Sequence, residues 1–191
     1  MSDKDRAAAL FSETLAALAL SPEQTSDAEL ARTPERFTQL LDELTEGLRQ
    51  APPELSAFPA TDSSKDPVLV CALPFHSMCV HHLVPFFGTI DVAYIPGENI
   101  IGFGSIGRVV EHFAKRPQVQ ERLVREVGEY LEEHLKPEGL IVRCRARQMC
   151  MELRGVRKRA ILVSSYSSGQ LERGPERDEI LRQFLAAEVE P

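Results

Sequence analysis

Apolar side chains recur along this chain at two spacings, and the change from one to the other divides it. Residues 4–20 are rich in Ala and Leu and read as a helix. Ser21-Pro22-Glu23-Gln24 has the form of a helix cap, with Ser at the N-cap, Pro at the first helical position and Gln at the third. Thr33-Pro34-Glu35-Arg36 repeats the device, after which Phe37, Leu40, Leu41, Leu44 and Leu48 fall on one helical face. Residues 51–67 are crowded with Pro, Ser and Asp and read as a linker. The pattern predicts a helical arm and linker over 1–60 and a different unit over 61–191.

That second unit mixes periods. Val68–Leu73 is a short apolar strand, and Thr89–Ile95 a second one closed by the turn pair Pro96-Gly97. Ser105–Ala114 carries Ile106, Val109, Val110 and Phe113 at helical spacing. A further helix is expected from Pro117 to Lys136, with Val119, Leu123, Val127, Tyr130 and Leu131 inward and Gly139 just beyond its end. Leu140, Val142, Cys144 and Ala146 alternate with arginines, as in a half-exposed strand, and a strand over 158–167 can pair with it as a hairpin. A last helix over 175–187 reads as an interface or surface element. Paired strands, two helices, then paired strands predict an α+β fold with the helices on one face of an antiparallel sheet.

Composition adds class and compartment. In 191 residues, 43% are hydrophobic and 27% charged, an ordinary globular balance. A net charge of -7 argues against nucleic acid as the main partner. The start, MSDKDRAAALF, has no basic region followed by an apolar run, and no stretch approaches a membrane span, so a cytoplasmic protein is expected. The average hides a basic strip. Arg143, Arg145, Arg147, Arg154, Arg157, Lys158 and Arg159 face one acid, Glu152, which suits either a small anionic ligand or solvated strand faces.

The chemistry concentrates around Cys79-Val80-His81-His82, with His76 just before it. Cys and His three residues apart can hold one metal from a turn, and a distant Cys150 is the best third ligand. Two thiolates and one imidazole suit Zn²⁺ better than Mg²⁺ or Ca²⁺. Three protein ligands leave a position for water, whose pKa zinc lowers towards about 7. By spacing alone, a catalytic zinc stands beside a redox or buried role for these cysteines. Cys71 and Cys144 alternate with apolar neighbours and read as buried strand cysteines. His112 reads as packing or surface, and His134 as a dipole partner at a helix end.

The run Ser77-Met78-Cys79-Val80-His81-His82-Leu83-Val84-Pro85-Phe86-Phe87-Gly88 is similar to the zinc-site signature of the GTP cyclohydrolase I family. Tyr94-Ile95-Pro96, the segment from Arg116 to Leu123, and Met149-Cys150-Met151 with Arg154-Gly155-Val156-Arg157 resemble its other signatures, in order, through roughly residues 30–185. The resemblance implies a tunnelling fold with a helical N-terminal arm. It also implies a homo-oligomer, usually a decamer of two stacked pentamers, with active sites between subunits. Cys79, His82 and Cys150 match the family's zinc ligands. Hydroxide adds to C8 of the guanine ring of GTP, formate leaves, and ring closure gives 7,8-dihydroneopterin triphosphate. His81 matches the histidine that handles protons at ring opening. Gln120 and Glu121 match residues reading the guanine edge, and Arg36, Arg108 and Arg154 match triphosphate-binding arginines.

The chain departs from that pattern at four places. Gln148 replaces a second catalytic histidine. Gly104-Ser105 replaces a Ser-Lys pair, leaving Ser105 where a phosphate-binding lysine stands. Val80 replaces a Glu, and the late strand is altered to Ile161-Leu162-Val163-Ser164-Ser165-Tyr166. Gln148 can hydrogen-bond but cannot carry a proton. His76 and His112 are the sequence's only substitutes nearby. These departures keep two alternatives beside the full reaction. One is a specialised paralogue that stops at a formamidopyrimidine or takes a guanine nucleotide with fewer phosphates. The other is a non-catalytic purine-binding ring protein.

Overall fold

A computed structural model of the chain describes residues 2–60 and 66–187, so the part of the expected linker at 61–65 lies outside the described residues. The chain divides into two compact units, Met1–Glu46 and Gly47–Pro191.

In the first unit, α1 (Asp3–Ala17) starts from a capping box, in which the Ser2 side chain accepts from Asp5 N and the Asp5 carboxylate accepts from Ser2 N. It ends earlier than its composition suggests, because Ala19 adopts a left-handed conformation. Ser21 caps α2 (Pro22–Thr25) with Gln24 as its reciprocal partner, as expected. A 3₁₀ turn over Ala28–Arg32 leads into α3 (Thr33–Leu44). Here the sequence pattern misleads. Arg32 holds the cap position and Thr33 is already helical, so Thr33 does not act as the cap. The Phe11 and Phe37 rings stack at 4.3 Å, and Lys4 pairs with Asp42 at 2.6 Å, tying α1 to α3.

The second unit opens with β1 (Ala57–Pro59), which runs antiparallel to β4 (Asn99–Ile101). Residues read as linker thus hold a strand, because pairing with β4 outweighs their loop-like composition. The main sheet contains β2 (Val68–Cys79), β3 (Pro85–Ile95), β5 (Pro117–Gln118), β6 (Gly139–Gln148) and β7 (Ile161–Gly169) in the order β5-β2-β3-β6-β7. β2, β3, β6 and β7 pair antiparallel, while β5 adds two residues parallel to β2. Between β4 and β6 run α4 (Phe103–Ala114) and α5 (Gln120–Leu135), with β5 between them. Pro117 therefore belongs to a strand bridge opposite Met78, and α5 begins three residues later than its proline suggests. A short α6 (Met149–Glu152) follows β6, and α7 (Pro175–Ala186) closes the chain.

Each sheet face has its own core. Ile106, Val109, Val110 and Phe113 of α4, with Leu123, Val127, Leu131 and Leu135 of α5, cover Phe86, Ile90, Val92, Leu140, Val142 and Cys144. On the opposite face, Leu171 with Ile180 and Phe184 of α7 covers Ala93, Ile95 and Ile141. The last helix is thus a core element, and its surface reading is corrected by these buried residues. The sheet puts a charge pair on this second face. Asp91 and Arg143, 5% and 6% exposed, meet at 3.2 Å, and Asp91 also accepts from Ala72 N at the β2 bulge. Arg147 is likewise bound to Glu152. These arginines of the basic strip serve the fold. Cys144 is fully buried, and burial pushes its thiol far above the ordinary range, leaving it inert.

Two contacts yield predictions. Tyr166 donates to the Glu132 carboxylate, and its ring lies where a Cβ on Gly128 would stand, 2.3 Å from that position. Gly128→Ala should destabilise the protein by about 1–3 kcal/mol through overpacking, read by urea unfolding, with Tyr166→Ala in the same chain removing most of the added strain. His112, 7% exposed, accepts from Arg116 at 2.6 Å. Burial first, then the Arg116 charge, lower its pKa, against an opposing effect of Glu126. Its neutral form therefore stabilises the fold fully above the unfolded value of about 6.5, and that contribution is lost as pH falls through the lowered folded value. His112→Gln should flatten the fall in unfolding free energy below about pH 6.5.

Candidate active site

β2 ends at Cys79 in a tight reversal. Cys79 N donates to Val84 O, Leu83 N donates to Cys79 O, and Leu83 takes a left-handed conformation that swings the chain into β3. The turn carries both histidines back over the Cys79 thiol, with the Nδ1 atoms of His81 and His82 each 3.8 Å from its sulfur. Cys150 arrives from another part of the sequence. Phe86 of β3 stands opposite Gln148 of β6, and α6 then turns Cys150 towards the reversal.

The ligand atoms of Cys79, His82 and Cys150 all lie within 4.8 Å of one another. Burial pushes the Cys150 thiol up, and the adjoining Cys79 adds to the shift. Two sulfurs and one imidazole nitrogen converging at this separation form a soft donor set that fits a zinc ion. The other nitrogen of His82, Nε2, lies 2.7 Å from Arg154 Nη1. That leaves Nδ1 as the nitrogen turned towards the Cys79 thiol.

Beside this cluster lies a cavity of about 200 Å³, lined by Cys79, His81, Glu121, Gln148, Cys150 and Leu162, with Gln118, Val119, Gln120 and Met151 completing its wall. Glu121 lies exposed in the first turn of α5, whose N-cap, Val119, supplies no capping side chain. Gln148 and Gln120 are bound to each other. Gln148 Nε2 donates to Gln120 Oε1 at 2.9 Å. Gln120 Nε2 in turn faces Cys144 O, Leu162 O and Ser164 Oγ at 3.3, 3.1 and 3.0 Å. The Gln120 amide is therefore committed to β6 and β7, and its polar atoms have partners before any ligand arrives. Gln148 thus both lines the cavity and donates to its neighbour Gln120.

Several residues singled out in the sequence stand apart from the cavity lining. Ser105 is 2% exposed, and its Oγ accepts from Ser56 N at 3.2 Å and from Arg108 Nη2 at 2.9 Å. Arg36 is exposed on α3 of the first unit. His76 is exposed on β2 and stacks with Phe87, and His112 is held by Arg116, so neither lines the cavity. The pocket also uses Gln118 and Leu162, which no spacing rule marks. They reach it through the β5 bridge and the β6–β7 register.

Comparison with known proteins agrees along nearly the whole chain. A family model described as GTP cyclohydrolase I matches residues 8–185. The chain is 40% identical over 159 residues to "GTP cyclohydrolase 1" of Streptococcus mutans, covering 83% of this chain and 81% of that protein. The figures are the same for the protein of that name from Carboxydothermus hydrogenoformans. The one from Streptococcus suis is 41% identical over 142 residues, covering 74% of this chain and 76% of its own.

The amide brace makes its own prediction. Gln120→Leu strips buried partners from Gln148 and from the β6 and β7 carbonyls. It should lower the unfolding free energy by about 2–4 kcal/mol, summing two or so unsatisfied groups, as read by denaturant titration of the metal-free protein.

Proposed function

The chain belongs to the GTP cyclohydrolase I family, and on that premise we infer that it is a hydrolase acting on GTP with GTP cyclohydrolase I activity, releasing formate and forming 7,8-dihydroneopterin triphosphate. One observation carries the reading beyond the family match. The thiol–imidazole–thiol cluster opens beside a pocket that holds a histidine and a carboxylate together.

We propose that Cys79, His82 and Cys150 hold zinc. Bound there, the ion supplies Lewis acidity that makes hydroxide available at neutral pH. The remaining chemistry falls to side chains. His81, beside Cys79 on the cavity wall, is placed to move protons as the imidazole ring of the purine opens. Glu121 offers a carboxylate that can accept from the purine N1–H and 2-amino groups, the pattern that singles out guanine. Gln148 has no proton to shuttle, and its bond to Gln120 keeps the pocket floor in one arrangement. Arg154, next to His82, and Arg108, whose guanidinium Ser105 steadies, are the proposed phosphate contacts, with Arg36 a third. The family implies a homo-oligomer. A decamer of two pentamers, a cytoplasmic location and a role in tetrahydrofolate biosynthesis extend this proposal. No helix is long and apolar enough to cross a membrane among the described residues. No observation favours the truncated reaction or the non-catalytic ring.

The test is direct. Zinc-loaded protein incubated with GTP should release formate in step with a fluorescent pterin product. Accumulation of a formamidopyrimidine without pterin, or unchanged GTP, would refute the assignment. Glu121→Gln should lower kcat/KM for GTP by about 10- to 100-fold, the worth of one charged hydrogen bond. Cys150→Ser should abolish both turnover and stoichiometric zinc, with the metal measured by atomic absorption.

A further inference from the structure

Gln118 is a polar residue only 1% exposed, set in the two-residue bridge between α4 and α5. Its side chain is matched at both ends. Nε2 donates to Phe113 O at 3.1 Å and to Glu126 Oε2 at 2.7 Å, while Oε1 accepts from Arg122 Nε at 2.7 Å. Glu126 in turn faces Arg116 at 3.8 Å, and Arg116 is anchored to Gly47 O at 3.1 Å. A side chain bonded to this extent fixes its own backbone.

That backbone carries the metal turn. Gln118 stands opposite Cys79 and Pro117 opposite Met78 in the parallel bridge. Gln118 O accepts from Val80 N at 2.9 Å, the first peptide after Cys79. Ser77 Oγ donates to Arg116 O at 3.3 Å, so β2 leans on this bridge along its last turn-forming residues. Arg122 Nη2 also holds Pro117 O at 2.6 Å. A parallel pairing of two residues is too short to be rigid by itself. Side-chain bonds supply the rest, and those of Gln118 are the most numerous among them.

We propose that Gln118 is a positioning residue for the metal ligand Cys79, setting the sulfur in place before metal arrives and thereby raising metal affinity. This rests on the zinc reading given above. It assigns a role in metal binding to a side chain on the cavity wall that is not itself one of the metal ligands. Its amide is already committed to Phe113, Glu126 and Arg122. A ligand held in advance loses little freedom on binding, and partners that orient ligands typically change metal affinity about 10- to 100-fold.

The experiment uses the full chain stripped of metal and titrated with Zn²⁺ against a chromogenic chelator, with thermal unfolding of the metal-free protein run alongside. The wild type should bind one zinc per chain, and Gln118→Ala about 10-fold or more weakly. Gln118→Glu should also weaken binding, because its carboxylate meets Glu126. The exchange Gln118→Glu with Glu126→Gln restores the match to residue 126 but not the bond to Phe113 O, and should recover part of the affinity lost in Gln118→Glu. Should Gln118→Ala fail to fold, Arg122→Met removes one bond to the side chain and one to Pro117 O, and should weaken zinc binding several-fold. Unchanged zinc affinity in the variants, whatever happens to the melting temperature, overturns the proposal. A wild type that binds no zinc overturns the metal reading instead.

Discussion

The antiparallel ladder between β3 and β6 is the constraint on which the site depends. Cys79 and Cys150 are 71 positions apart, and nothing local attracts one to the other. The ladder runs unbroken from Phe86 opposite Gln148 to Ile95 opposite Gly139. Side chains alternate along it, so a slip of one residue would turn Cys144, Val142 and Leu140 out of the helical core and carry Cys150 away from the turn. The apolar packing under α4 and α5 thus holds the register, and the register holds the cluster. Burial that has no chemical role of its own sets the separation of the two sulfurs in the cluster.

The departures around the pocket gain a physical meaning from this arrangement. A histidine at position 148 would face Gln120 with a ring. The glutamine present instead meets amide with amide, and the floor of the pocket becomes a chain of matched hydrogen bonds from Gln148 through Gln120 to the carbonyls of β6 and β7. Ser105 likewise offers no charge, but it steadies Arg108, the cation nearest to it. Both replacements exchange a reactive or charged group for one that orders its neighbour. His81 is then the titratable imidazole left on the cavity wall.

Much of this was legible in the sequence, for identifiable reasons. The strands and both core helices announced themselves through apolar period. The Cys79, His82 and Cys150 grouping was legible because Cys79-Val80-His81-His82 is compact and incomplete, and Cys150 was the best remaining third donor. What escaped was tertiary. Pro117 looks like a helix start, yet its missing N–H costs nothing in a strand bridge to Met78. Residues 57–59 look like linker until β4 pairs with them. The arginines of 143 and 147 look like solvated or anion-binding cations, and only the fold reveals the acids opposite them, Asp91 and Glu152. The α7 stripe looks superficial because nothing in sequence shows the second sheet face it must cover.

The contact between Gly128 and Tyr166 constrains how this protein can evolve. The ring occupies the volume that any side chain at 128 would need, while the phenol keeps its tie to Glu132 on the same helix. Position 128 cannot enlarge freely while Tyr166 keeps its ring. Their histories should be joined: a lineage that loses the tyrosine gains licence to enlarge the glycine, and the reverse order is closed. A pair that looks like ordinary packing in one protein is, across descendants, a one-way epistatic gate.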